Sequence, residues 1–407
     1  MGNKNRKKTS GLRLALTAIC MLFLASCGGG GGYGISPEDE AYITEKPVEL
    51  QGLYRRVISD RAENRVMHLV RAGLAAMELG YHDLARDTFD EALLTIEAVY
   101  SDNPEAVAAR NNFSPEDRKV FRGEPYERAM AYYYRGILYL MEEDYENARA
   151  SFQSGVLQDT LAEQEEFRGD FALLDYLAGW SSQCNGDTSL IKDSYDWAKE
   201  NSSVNLSIPD SDDNLVVLAD FGYAPTKVRT GEHGHLLKIQ KNQRNYSSST
   251  GFRLSGEAER LGNSESILRQ AKTRGGREFD VILEGKAQYK EGMESASEFA
   301  AGIAEAGAIL GATGLAMDDD NLAQIGGGGL LGGGFMSFVT GTVAEATKPQ
   351  ADTRQWDNLP EMVRYGTYRV QGTPAITNLP GTIHRGGGER CQVAWVRYPA
   401  TDLSNVQ

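Results

Sequence analysis

Residues 69–93 read "LVRAGLAAMELGYHDLARDTFDEAL" and residues 132–156 read "YYYRGILYLMEEDYENARASFQSGV". In the first stretch Gly73, Ala85, Phe89 and Ala92 stand at successive intervals of 12, 4 and 3; in the second, Gly136, Ala148, Phe152 and Gly155 repeat those intervals. "MELGYHDLARDTF" reads as the end of one helix, a Gly-Tyr turn and a helix restarted at Asp83, and "LMEEDYENARASF" does the same at Asp144. Each such pair has an apolar stripe it cannot bury alone, so neighbouring pairs must stack. A poorer third copy carries Gly179, Tyr195 and Ala198, with Ile191 where a small residue would stand. The first two copies are too widely separated for units that follow one another directly, which makes residues 100–124 a long insertion. Glu124-Pro125 then opens the second unit, with proline suited to a first helical turn.

This spacing resembles the tetratricopeptide repeat. The resemblance implies that Gly73, Ala85, Phe89, Ala92, Gly136, Ala148 and Phe152 are the repeat signature, small residues letting paired helices approach while the aromatics fill the groove between units. A helical domain is therefore expected over residues 60–203. Tyr132, Tyr133, Tyr134 and Tyr139 share one helix. At 3.6 residues per turn three consecutive side chains cannot all face one way, so at least one tyrosine is expected to be exposed. Two readings stand side by side: the tyrosines pack against the next unit, or they line an aromatic groove for a protein partner. In the second, Tyr133, Tyr134, Arg135 and Tyr139 make the contact, with Glu124 and Arg128 nearby.

After residue 203 the pattern changes, and an α+β domain over 204–407 is expected. "LVVLADFGYAP" (215–225) reads as a strand, with "HGHLLKIQ" (233–240) as its antiparallel partner. His233 and His235 flank a glycine but have no further ligands at zinc spacing, and Asp210, Asp212 and Asp213 lack the glycine and closing glutamate of a calcium loop. Neither is assigned a metal. Residues 295–346 read as a helical hairpin rich in small residues, with Gly307/Gly311, Gly328/Gly332 and Gly329/Gly333 four apart, a spacing that lets helices touch backbone to backbone. The hairpin is either buried in protein or an oligomer interface, or it enters lipid. Glu305 opposes insertion, since an acid at a bilayer centre costs about 3 kcal/mol. Residues 362–398 alternate between Gly and Pro breaks and read as three or four short strands. The last two join through Arg385-Gly386-Gly387-Gly388, with Cys391, Val393 and Trp395 on one face.

The N-terminus sets the location. Lys4, Arg6, Lys7, Lys8 and Arg13 precede the 12-residue apolar run Leu14–Ala25. A spanning helix needs about 20 residues, so this run fits a signal core that is cut away. Leu24-Ala25-Ser26-Cys27 resembles the bacterial lipobox, which implies a signal peptide over 1–26 and acylation of Cys27. Two or more acyl chains make stable membrane anchoring, and Gly28 after the cysteine favours the outer membrane, periplasmic side. Residues 27–59 are read as the lipidated cysteine and a flexible tether. Cleavage removes five bases and no acids and moves the net charge from −15 to −20. Such a chain is repelled by nucleic acid and by anionic head groups. Downstream of Cys27 only Cys184 and Cys391 remain; an oxidising periplasm permits their pairing, and the sequence leaves it open.

No nucleophile elbow, HExxH or P-loop lysine is present, and Gly327–Gly332 matches GxGxxG without a preceding strand. "FRGEPYERAMAYYYRGILYL", "DFGYAPTKV" and "ADTRQWDNLPEMVRYGTYRV" resemble a group of uncharacterised Gram-negative outer-membrane lipoproteins with tetratricopeptide-like repeats. That resemblance implies architecture and location, and no activity. The expectation is a non-enzymatic, cofactor-free lipoprotein that scaffolds or assembles other envelope proteins, alone or as a homo-oligomer. The competing expectation is a membrane-active component whose glycine-zipper hairpin inserts in the bilayer.

Overall fold

The computed structural model describes residues 35–101, 120–121, 123–160, 169–231, 236–273 and 351–404. The expected signal peptide, Cys27, most of the expected 100–124 insertion, His233, His235 and the expected 295–346 hairpin lie outside the described residues. The described chain is mixed α+β. Its helices are α1 (Pro37–Thr44), α2 (Gln51–Ser59), α3 (Arg65–Glu78), α4 (His82–Ser101), α5 (Pro125–Met141), α6 (Tyr145–Asp159), α7 (Ala172–Asn185) and α8 (Thr188–Asn201), followed by a short α9 (Ile267–Lys272).

Helical order starts before residue 60, which corrects the reading of 27–59 as all tether. Ser36 and Asp39 form a reciprocal capping box around α1, with Pro37 at the first helical position. Leu50, Leu53, Tyr54 and Val57 then bury an apolar stripe beside α3, and Tyr54 meets Thr88 of α4 at 2.5 Å between hydroxyl oxygens.

The spacing of the quoted stretches has a steric counterpart. In α3–α4, α5–α6 and α7–α8 one glycine faces one aromatic ring across each helix pair. A Cβ on Gly73 would stand 3.2 Å from the Phe89 ring, on Gly136 2.4 Å from Phe152, and on Gly179 2.6 Å from Tyr195. A residue with positive φ sits in each connecting turn: Gly80, Glu143 and Gly186. Helices commonly end on such a left-handed residue, usually glycine.

The β half is built on one mixed sheet in the order β6 (Asn263–Ser266), β7 (Met362–Tyr368), β1 (Leu215–Phe221), β10 (Gln392–Tyr398), β9 (Ile383–Gly387). Every residue of β1 is buried, as befits a central strand covered on both faces. β1 pairs antiparallel with β7 and parallel with β10. One face of the sheet, with Val216, Leu218, Val363, Tyr365, Val393 and Trp395, joins the helical core. The other, with Leu215, Val217, Ala219, Phe221, Ala394 and Val396, packs on Phe252, Leu254 and Ile376. Those last residues come from a small sheet of β5 (Glu257–Arg260), β4 (Gly251–Leu254) and β8 (Ile376–Thr377).

The expected partner of β1 is corrected. Leu236–Gln240 (β3) pairs instead with Thr226–Thr230 (β2), the short strand just past Pro225. β1 is buried on both faces and so takes a central place in the sheet, its hydrogen bonds going to β7 along one edge and β10 along the other. The C-terminal hairpin forms between β9 and β10, and Cys391, Val393 and Trp395 face the helices together.

The exposed tyrosine is corrected too. Tyr132, Tyr133 and Tyr134 are all buried, as is every side chain of α5 from Tyr126 to Leu138. A helix covered on all sides needs no exposed face, and α5 is packed by α4, α6, α9, β9 and β10. Cys184 at the end of α7 and Cys391 before β10 are joined in a disulfide, with Cα atoms 5.7 Å apart. The helical core and the helix-side face of the sheet form one cluster across residue 203.

Two outcomes follow. Gly136→Ala drives a methyl into the Phe152 ring and is expected to lower stability by about 1–3 kcal/mol, whereas Gly73→Ala, with its looser contact and the helix-propensity gain of about 1 kcal/mol, stays near neutral; urea midpoints of the two variants check the difference. The Cys184→Ala/Cys391→Ala double variant opens a link across 207 residues and is expected to lose about 5 kcal/mol on chain-entropy grounds, measured as a fall in the denaturant midpoint under non-reducing conditions.

Candidate functional site

Asp220 is the one acid in the "LVVLADF" strand, and the alternation of β1 turns it to the helix side with Val216 and Leu218. Its carboxylate is wholly buried. Tyr133 Oη donates to Oδ1 (3.0 Å), while Tyr134 Oη (2.9 Å) and Trp395 Nε1 (3.1 Å) donate to Oδ2. Burial pushes the Asp220 carboxyl up to about 6; the nearby Arg397 guanidinium and the three donors pull the other way. Burial, with the Asp220 charge next, also holds both tyrosine hydroxyls well above their usual range, so they stay protonated and keep donating.

Arg397 lies on the same face of β10, one turn of the pleat beyond Trp395. Its Nη2 donates to the carbonyls of Asn358 (3.2 Å) and Leu359 (3.0 Å), and its Nε is 3.9 Å from Glu78 Oε1. Glu78 ends α3 with its side chain buried. Its carboxylate accepts from Thr401 N (2.6 Å) and Thr401 Oγ1 (2.8 Å), which ties the C-terminal segment to the helices. Burial raises the Glu78 carboxyl, against the lowering effect of Arg397.

His384 of β9 completes the constellation. Its Nε2 lies 3.0 Å from the Glu78 carbonyl oxygen, a distance at which the ring donates, leaving Nδ1 bare in the neutral tautomer. His82, at the start of α4, meets it edge to face with ring centroids 5.5 Å apart. Burial lowers both imidazoles, and the neighbouring His82 lowers His384 further. Glu78, His384, Arg397 and Tyr398 border a shared cavity. Among the described residues no group of three or more His, Cys, Asp or Glu side chains is placed to hold a metal ion.

The residues expected to meet a partner are placed elsewhere. Tyr133 and Tyr134 hold Asp220. Arg135 is buried and pairs with Asp90 (2.6 Å) while stacking 3.5 Å over the Tyr139 ring, which stays half-buried. Arg128 donates to Gln158 (2.7 Å) and the Gly123 carbonyl (2.7 Å). Glu124 is buried beside Lys227, 3.6 Å away. The expected aromatic groove is therefore occupied by the chain's own β half, because the sheet supplies the apolar and hydrogen-bonding cover that a partner would have given. Of the signature residues, Ala85, Phe89, Ala92, Ala148 and Phe152 are buried between helices.

Sequence reading passes over Asp220, Glu78, His384 and Arg397. A signal exists for Asp220, since an ionisable residue inside an apolar strand must find donors. None exists for the other three, whose meeting depends on β9, β10 and α3 converging. Comparison with protein-family models, curated proteins and solved structures finds no match for the chain.

Buried carboxyls raised above their unfolded values favour the folded state most when protonated. Beside Asp220, burial raises Asp175 to about 6, Glu265 to about 7 and Asp159 to about 8. The stability they contribute is full below about pH 4 and is lost as pH climbs through 6 to 8. The urea midpoint is expected to fall between pH 5 and pH 8, and Asp220→Asn is expected to flatten that decline by roughly 2 kcal/mol; a decline of equal size in the variant would refute the assignment to Asp220.

Proposed function

We propose that the chain is an exported lipoprotein, cleaved before Cys27, acylated there and held on the periplasmic side of the outer membrane as a non-enzymatic scaffold or assembly factor. The observation that carries this reading is the buried Cys184–Cys391 disulfide. It joins the two cysteines left after Cys27, and such bonds persist in oxidising compartments such as the periplasm. The signal-like N-terminus and the lipobox-like Leu24–Cys27 point the same way.

In this reading the helix pairs are tetratricopeptide-like repeats, supported by the glycine-to-aromatic contact that recurs in three pairs. Their groove holds the chain's own sheet, so the body is a rigid platform and other envelope proteins meet its outer faces. The acyl chains, and not surface charge, hold a body of net charge −20 near anionic head groups.

The test is made in a Gram-negative host. Metabolic palmitate labelling is expected to mark the wild-type chain and not Cys27→Ser, and non-reducing electrophoresis is expected to show a faster band that shifts on reduction in the wild type and not in the Cys184→Ala/Cys391→Ala variant. An unlabelled wild-type chain, or free thiols at Cys184 and Cys391 in cells, overturns the reading.

A further inference from the structure

Helix α8 is the last of the stacked helices and packs on α7. Ser194, Tyr195 and Ala198 form its buried side. On the outside, Leu190, Asp193, Trp197 and Glu200 follow one another at intervals of 3, 4 and 3. That spacing sets them along one side of the helix, with Asp193 and Glu200 as the nearest neighbours of Trp197. Trp197 is 52% exposed, whereas Trp180, Trp356 and Trp395 are at most 1% exposed. The outer face of a terminal helix in a stacked array is ordinarily polar. A lone exposed apolar side chain needs no special cause; what sets this tryptophan apart is its flanks.

Those flanks decide what kind of group fits. Asp193 and Glu200 are exposed, and among the described residues neither forms a salt bridge. The lysines of α8 stand on the opposite flank, where Lys192 pairs with Asp196 at 2.5 Å. Two carboxylates astride an indole repel an anionic surface and attract a cation. Indole is the best side-chain face for a cation–π contact. A guanidinium can lie flat on it while its N–H groups meet a carboxylate, which a compact ammonium cannot match. The fold already uses this combination internally: Arg135 stacks 3.5 Å over the Tyr139 ring and pairs with Asp90 at 2.6 Å. On α8 the ring and the carboxylates face outward, and no described cation lies over the ring.

We infer that this side of α8 docks a basic, arginine-bearing segment of a partner protein. The guanidinium stacks on Trp197 between Asp193 and Glu200, and half-buried Leu190 takes an apolar neighbour. The inference rests on the scaffold reading and names the chemistry of its partner. Tryptophan and arginine are among the side chains enriched where interface energy concentrates. One helix side makes a small contact, which belongs to the weak and transient class.

The detergent-solubilised full chain is titrated into a capped, fluorescein-labelled peptide of four Leu-Ala-Ala-Arg units, with the matching glutamate peptide as comparator, and anisotropy is read. The arginine peptide is expected to bind with a Kd on the order of 100 µM, to weaken as salt rises to about 0.5 M, and the glutamate peptide not to bind. Trp197→Ala is expected to weaken binding about tenfold and Asp193→Asn/Glu200→Gln about fivefold. Both variants are expected to melt like wild type, because the three side chains are exposed. Lys192→Gln, on the other flank, is expected to bind at least as well as wild type. No binding, equal binding of the glutamate peptide, or an unchanged affinity in Trp197→Ala would each overturn the assignment. So would a blue shift of Trp197 emission with mixed phosphatidylcholine and phosphatidylglycerol vesicles, which would give this face to lipid. The titration needs no acyl chain: an acylated chain that ignores the peptide loses the α8 surface alone, and an unacylated chain that binds it loses the location alone.

Discussion

A carboxylate with no access to water sits at the junction of the two halves of this chain, and its three donors come from both of them. Tyr133 and Tyr134 belong to the central helix, Trp395 to the sheet. Ionised carboxylates are costly to bury unless hydrogen-bonded and paired, so Asp220 admits one relative placement of helix α5 and strand β10. Apolar packing alone would tolerate small slides of sheet against helix. Directed hydrogen bonds do not. The stacked Phe89 and Tyr134 rings and the Trp356 ring that fills the space beside them then pack around a position already set.

A second charged junction works at the other end of α5. Glu127 accepts from Lys227 Nζ (2.7 Å), from Trp356 N (2.7 Å) and from Glu124 N (2.7 Å). Lys227 is on the short β2 strand and also donates to the Arg354 carbonyl (3.0 Å). A buried pair of this sort contributes little net stability against apolar replacement, yet breaking one partner is costly. Its role is placement: it fixes the 351–359 segment against the helices, where Asn358 in turn reaches the Arg71 carbonyl and Thr401.

How much of this is legible in the sequence depends on whether the determining contacts are local. Gly73 with Phe89 and Gly136 with Phe152 are near neighbours along the chain, and their spacing alone foretells the paired helices. The β9–β10 hairpin and its inward Cys391, Val393 and Trp395 follow from period-two alternation. The burial of Tyr132, Tyr133 and Tyr134 does not, because helical periodicity counts faces and not neighbours, and no local pattern says that a sheet far downstream will cover the fourth side. For the same reason the partner-facing assignment of Arg135, Arg128 and Glu124 fails: polar residues on a helix look solvent-bound until Asp90, Gln158 and Lys227 arrive. The pairing of β1 escapes a local reading because the strand nearest to it in sequence is not the nearest in space.

The parallel pairing of β1 with β10 joins residues 215–221 to 392–398. Helix pairs can close as soon as their own residues exist, but the middle of the sheet has to wait for residues 392–398. Until then α5 presents its row of tyrosines, and β1 its unpaired edge, to whatever surrounds the nascent chain. Long-range closure of this kind is slow, and such intermediates are prone to aggregate. The molecule's period of greatest vulnerability is therefore the interval before β10 is delivered, and a truncation reaching into that strand would leave the whole assembly half-made.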